Sequence, residues 1–245
     1  ERDPEAAAAE WLAEWRSDLS DFLDRELISG AVDAGVVVRP PRLGIRYVGF
    51  ADWSGGRGDS AVVAIAHGEG NVAVLDALYE RRAPFDSDAA ITDASMLLRS
   101  YGLHEVVGDD YGAELTVASF KRAPNNITYK SSTLNRSEIY LNVLPLFTSG
   151  RARLLDNPRL VHQFAGLERR TGRSGRDTVD HGRAKGAHDD CANAAAGALT
   201  LVVSKAPAVI FTSEMVSRLQ NQPGVRQDEE LAMMNSLTIG NYRYH

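Results

Sequence analysis

Three groups of acidic residues stand where chemistry is expected. Asp52 closes the apolar run Tyr47-Val48-Gly49-Phe50-Ala51, and the glycine-rich stretch Trp53-Ser54-Gly55-Gly56-Arg57-Gly58-Asp59-Ser60 separates it from a second apolar run, Ala61 to Ala66. Asp109-Asp110 follows Glu105-Val106-Val107-Gly108, and His188-Asp189-Asp190 heads an alanine-rich segment. Carboxylates at the ends of buried elements, far apart in sequence, are the raw material of a divalent-cation site, because hard cations such as magnesium take oxygen ligands. Two such ions can clamp the attacking and leaving oxygens of a phosphodiester.

Within these groups the residues are not equivalent. Asp52 extends a strand directly, so the sheet would position its carboxylate, and Gly55 and Gly56 leave room beside it for a metal or a phosphate. Asp59 reads instead as the cap of the turn into the next strand. Successive strand residues point to opposite faces, so Asp109 and Asp110 are not expected to bind one metal together. Asp109 is preferred as the direct extension of its strand, with Asp110 in a supporting position. Asp190 and Asn193 are three apart on a predicted helix and share a face. Asp189 is the alternative ligand, in which case Asp190 would cap the helix. His188, His181 and Asp180 lie close enough in sequence to orient a water or touch a phosphate. Cys191 reads as a small packing residue, and a single cysteine excludes an internal disulfide.

The elements that must carry these residues follow from periodicity. Residues Arg46–Asp52, Ser60–Ala66 and Val72–Leu78 read as three strands in a meander, with glycine-rich turns between them. Helices are predicted over Asp86–Tyr101, Ala113–Lys121, Ser137–Phe147, Pro158–Leu167 and Asp189–Val203. Short strands are predicted at His104–Gly108, Asn126–Lys130 and Arg151–Leu155. Pro4–Ile28 has apolar residues near helical spacing, and Val36–Leu43, with Pro40-Pro41, reads as a linker. Glu168–Gly186 is rich in glycine and arginine with no apolar period. The fold class is α/β, a mixed sheet with three antiparallel strands first and helices on both faces.

The chain has 245 residues, 44% of them apolar, and a net charge of −6. That charge argues against a surface coated in DNA-binding residues. The basic residues are local, however: Arg169, Arg170, Arg173, Arg176, Arg183 and Lys185 cluster in one strip, and such a strip can hold phosphates on an acidic protein. No apolar run approaches the roughly 18 residues of a membrane span, and no signal peptide is visible. The chain begins Glu1-Arg2-Asp3, as expected of an excised or processed domain. The expected division is 1–44 as N-terminal helix and linker, 45–205 as the catalytic domain and 206–245 as a tail.

The ordered set of motifs resembles the large terminase subunit of tailed bacteriophages, in its C-terminal nuclease domain of the ribonuclease H-like superfamily. The residues carrying the resemblance are Tyr47 to Gly56, Gly108-Asp109-Asp110-Tyr111-Gly112, Leu154-Leu155-Asp156, Leu167-Glu168-Arg169-Arg170, Gly175-Arg176-Asp177 and His188 to Ala194. It spans about Pro40 to Val203. The resemblance places the acid of the Gly-Asp-x-Tyr pattern at Asp109, and Asn193 stands where related nucleases carry a further acid. It implies catalytic residues Asp52, Asp109 and Asp190, metal ligands drawn from these and Asp189, and two magnesium or manganese ions. The implied activity is metal-dependent endonucleolytic cutting of concatemeric viral double-stranded DNA during packaging, with little sequence preference. It also implies an ATPase domain of the same polypeptide, whose phosphate-binding loop this sequence lacks, so that 1–44 is a remnant of the connection between the halves. Portal and small terminase subunit are implied partners, and the host bacterial cytoplasm the location.

Rival readings remain. A Holliday-junction resolvase or transposase-like nuclease would use a related scaffold. An actin-like ATPase would need a second glycine-rich phosphate turn, and Gly108 to Gly112 is a poor one. A portal- or motor-docking module without cutting activity is the non-enzymatic reading.

Overall fold

A computed structural model describes residues 19–54, 58–109, 113–123, 126–171, 177–182 and 188–205. At its centre is a seven-stranded mixed sheet in the order β2-β8-β5-β4-β3-β6-β7. Its strands are β2 (Val32–Asp33), β3 (Tyr47–Asp52), β4 (Ala61–Glu69), β5 (Val72–Arg81), β6 (Glu105–Gly108), β7 (Thr128–Ser131) and β8 (Ala152–Leu155). The antiparallel meander is β3–β4–β5, and β6, β7, β8 and β2 add in parallel on its two sides. Gly70, at φ 61°, takes the first central position of the β4–β5 turn, which a side chain would strain.

Strand β4 reads as a continuous apolar run because both of its faces are covered. On one face Val48, Phe50, Val62 and Ala64 pack with α1 (Arg25–Ala31), α4 (Arg136–Thr148), α5 (Pro158–Ala165) and α6 (Asp190–Lys205). On the other, Ala51, Val63, Ile65 and Ala77 meet α2 (Ser87–Ser100) and α3 (Ala113–Arg122). Helix α6 lies on the centre of the sheet. A Cβ at Gly197 would stand 2.4 Å from the Phe50 ring, so glycine permits that approach. Side chains of both helix layers exclude water from the strand bodies, which leaves the strand ends as the place for polar chemistry.

Two sequence expectations are corrected. Of the helix predicted from Pro4 to Ile28, the part before residue 19 lies outside the described residues. Within the described part, Leu19–Asp21 is strand β1 and the helix is confined to Arg25–Ala31. Phe22, Leu23, Ile28 and Ala31 are buried in the main core, so this stretch is built into the fold. The apolar spacing was real, but a strand partner outweighed it. That partner comes from the second correction: Glu168–Gly186, read as aperiodic, contains β9 (Leu167–Thr171) and β10 (Asp177–His181), an antiparallel pair. With β1 they form a separate three-stranded sheet. Few of its residues are apolar because it buries little on one side, which erased the alternation that marks a strand. The tail from 206 to 245 lies outside the described residues.

Candidate active site

Parallel pairing of β3 with β6 matches Ala51 to Gly108, so the next residues, Asp52 and Asp109, emerge side by side from two strand ends. Gly108 makes this possible. A Cβ there would meet the Ala51 carbonyl oxygen at 2.5 Å and the Tyr129 hydroxyl at 2.2 Å. The Asp109 N–H donates to the Ala51 carbonyl at 3.3 Å, and the Tyr129 hydroxyl donates to the Asp109 carbonyl at 2.9 Å. Backbone position is thus set before the carboxylate is considered.

Strand alternation sends Asp52 to the face of Phe50, where α6 lies. There the Asn193 Nδ2 donates to Asp52 Oδ2 at 2.9 Å and to Asp109 Oδ2 at 3.0 Å. Asn193 is fully buried, and its Oδ1 has no hydrogen-bond partner. One amide therefore gathers two acids separated by 57 residues.

The start of α6 supplies the rest. Its free N–H groups at Cys191 and Ala192 donate to Gln163 Oε1 of α5, at 2.8 and 3.1 Å. Capping by Gln163 releases both aspartates from that duty. Asp190 turns into the cleft, where its Oδ2 accepts from the Ser60 N–H at 3.2 Å. Asp189 is clasped by the Tyr140 hydroxyl at 2.9 Å and Arg136 Nη1 at 3.2 Å. Asp189 holds the N-cap position, its carbonyl accepting the Asn193 N–H at 2.7 Å, but the side-chain hydrogen bonds of both aspartates go elsewhere, contrary to the alternative in which Asp190 is the cap.

Together Asp52, Asp109, Asp189 and Asp190 line a cleft of about 380 Å³, with Trp53, Ser54, Asp59, Arg136, His181 and His188. Asp59, read from the sequence as a turn cap, has its carboxylate 3.3 Å from His188 Nδ1, and both converge with Asp190 so that one ligand atom of each lies within 4.8 Å of the others. Burial dominates the electrostatics. It pushes Asp52 up to about 7, aided by the neighbouring Asp109 and Asp190 charges and opposed by the Asn193 hydrogen bond. Burial also raises Asp109 and Asp190. Desolvated carboxylates that repel one another have unmet demand for a cation. Oxygen donors dominate the set, the composition that hard divalent ions require.

Other predicted residues are placed differently. Asp180 is exposed and accepts from the His181 N–H. Arg169 pairs with Asp177, and Arg170 with Glu168 at 3.1 Å, so both are engaged within the β9–β10 pair. Asp110, Arg173, Arg176, Arg183 and Lys185 lie outside the described residues. Sequence reasoning missed Arg136, Tyr140 and Gln163. The helix start at Asn135 was legible in its capping box with Glu138. Nothing local marked Arg136 or Gln163, whose roles exist only through partners more than 25 residues away.

No protein-family model and no curated protein matches the sequence. Solved structures do match. The large terminase of bacteriophage HK97 superposes with a TM-score of 0.61 at 13% identity, over 75% of this chain and 44% of that one, so this chain spans less than half of that protein. The large terminase nuclease of thermophilic phage G20c with bound magnesium matches at TM-score 0.57 and 18% identity, over 71% of this chain and 94% of that one. The nuclease domain of the large terminase subunit of bacterial virus Sf6, with manganese and β-thujaplicinol, matches at 0.52 and 15%, over 75% and 98%. The architecture is therefore the ribonuclease H-like fold of large terminase nuclease domains.

Proposed function

We propose that this chain is a metal-dependent endodeoxyribonuclease, the cutting domain of a large terminase that severs concatemeric viral double-stranded DNA during genome packaging. The observation that carries this reading is the convergence of Asp52, Asp109 and Asp190 in one cleft with more buried negative charge than the protein itself offsets. Terminase nuclease domains of the same fold have been seen with magnesium and with manganese.

Magnesium or manganese, as a pair of ions, fits the donors present. Asp52 and Asp109 would serve on one side, and Asp190 with Asp59 and His188 on the other. When bound, such ions supply Lewis-acid polarisation of the phosphodiester and a water-derived nucleophile at neutral pH. The side chains have separate tasks. Asn193 holds the Asp52 and Asp109 carboxylates at a common point, which preorganises them. Gln163 keeps the α6 N-terminus satisfied, so that Asp190 stays available. The basic residues Arg173, Arg176, Arg183 and Lys185 would follow the DNA backbone, with Arg169 and Arg170 exchanging their acidic partners for phosphates. Backbone contacts position DNA without reading it, so cutting should show weak sequence preference and strong salt dependence. On this reading the partners are an ATPase domain of the same polypeptide, the portal and the small terminase subunit, and the setting is the infected host cytoplasm. Among the described residues, no helix is long and apolar enough to cross a membrane.

The test is incubation with supercoiled plasmid and magnesium or manganese, beside Asp52→Ala and a chelator. Cutting that needs metal and vanishes in the variant supports the reading. A wild-type chain that binds neither metal nor DNA overturns it. Preferential cutting of four-way junctions over linear duplex would transfer the same chemistry to a resolvase.

A further inference from the structure

Arg136 has no part in a carboxylate-and-metal account, yet it stands at the first turn of α4 and lines the acidic cleft. Its Nη1 donates to Asp189 Oδ1 at 3.2 Å, while its Nη2 stands 3.9 Å from Asp109 Oδ2, too far for a hydrogen bond. A guanidinium carries five N–H donors in a rigid fork and does not lose its charge. Among the described residues the Asp189 hydrogen bond is the one that Arg136 makes, and its side chain is 40% exposed on the cleft side. Its backbone is firmly held nonetheless. The adjacent Ser137 hydroxyl is bonded to both the Val179 N–H and carbonyl of β10, at 3.1 and 3.2 Å, and Val179 is buried.

We propose that Arg136 is the cleft's resident counter-cation: it neutralises the Asp109–Asp189 side while no metal is bound, competes there with an incoming divalent ion, and then offers its free donors to a phosphate of bound DNA. This rests on the nuclease reading given above. The placement explains how Asp189, which also lines the cleft, is engaged: Tyr140 and Arg136 hold it as an anchor for the guanidinium. A fixed charge beside Asp189, Asp52 and Asp109 is felt strongly, because burial lowers the effective dielectric between them. A purely structural arginine and a counter-cation therefore predict opposite effects on metal affinity. Losing the first loosens the site and weakens binding; losing the second removes a competitor and tightens it.

The experiment compares wild type, Arg136→Gln and Arg136→Lys by calorimetric titration with manganese alone, by melting with and without manganese, and by steady-state cutting of linear duplex. The expected Arg136→Gln protein melts lower in chelator, binds manganese about three- to tenfold tighter, and has a raised KM for DNA. Arg136→Lys keeps the charge and should bind manganese as wild type does, while its KM rises because the fork is lost. Manganese binding by wild type together with unchanged or weaker binding by a folded Arg136→Gln overturns this inference and leaves the nuclease reading standing. If Arg136→Gln does not fold, Arg136→Lys decides: an unchanged KM for DNA overturns the phosphate role. A wild-type chain that neither binds manganese nor cuts overturns both.

Discussion

The two ends of the β4 strand bury acids in opposite ways. At the end next to Asp52, the carboxylates of Asp52, Asp109, Asp189 and Asp190 line a cleft with one described arginine, Arg136, which reaches Asp189 at 3.2 Å and stands 3.9 Å from Asp109. At the other end, Asp76 is 1% exposed and meets His67 Nδ1 at 2.7 Å, with Arg42 bridging the His67 Nε2 at 2.8 Å and Glu69 at 2.6 Å. Asp76 lies at the register shift of the β4–β5 pair, and its carbonyl accepts the Arg39 N–H at 2.8 Å. Each acid there is hydrogen-bonded to a basic side chain, Asp76 to His67 and Glu69 to Arg42, so that cluster fastens the 36–43 segment to the sheet. The first cluster lacks such balance. Buried acids that are matched hold a fold together; buried acids in excess hold something from outside.

Substitutions should separate the two ends cleanly. The largest effect is expected from Asp52→Ala: loss of metal-dependent cutting by at least about a hundredfold, together with loss of manganese binding in titration, in a protein that still folds. Retained cutting would dissolve the contrast. Next comes His67→Ala, which strands Asp76 in the interior without its partner. Denaturant melts should show about 3 kcal/mol of destabilisation, with manganese affinity unchanged for the folded fraction. A change in metal affinity would mean that the two ends are coupled along β4.

Gly197→Ala sharpens the comparison from the packing side. Its Cβ would press on Phe50, at a cost of about 1–3 kcal/mol, and would lift α6 and Asn193 away from Asp52 and Asp109. Stability and manganese affinity should fall together here, where His67→Ala lowers only the first.

The smallest effect is the most diagnostic. Burial raises Asp52 to about 7 in the folded protein, far above its ordinary 3.8. Between those values the folded chain holds a proton that the unfolded chain has released. The metal-free protein should therefore lose stability as pH rises from about 4 to about 7, on the order of 2 kcal/mol for this group after allowance for solvent at the cleft mouth. Asp52→Asn should flatten that slope and melt higher than wild type in chelator at pH 8. Saturating manganese should reverse the slope, because the metal displaces the proton. A pH-independent wild-type melting profile over this range would show that the acids are not in electrostatic excess.

Much of this arrangement is legible in the residues alone. The meander, the helices after it and Asp52 and Asp109 at strand ends follow from short-range periodicity, which backbone geometry imposes locally and which survives in any context with a covered sheet. Asp190 was legible for the same reason, as the head of a strongly apolar helix. The β9–β10 pair was not, because its strands are stabilised mainly by each other and by β1, and a pattern of one buried face never forms. The role of Asp59 was hidden by its turn, where the sequence permits a cap equally well, and only the approach of His188 and Asp190 brings it to the cleft.

What the sequence by itself determined is the set of carboxylates and the strands and helix that end in them. Tertiary structure alone decided which acid faces which partner: Asn193 joining Asp52 to Asp109, Gln163 accepting from the Cys191 and Ala192 N–H groups at the helix start, Tyr140 and Arg136 holding Asp189. The physical reason is that a side chain's charge is a property of its residue type, but its unmet demand for a counter-charge depends on burial and on neighbours brought from across the fold.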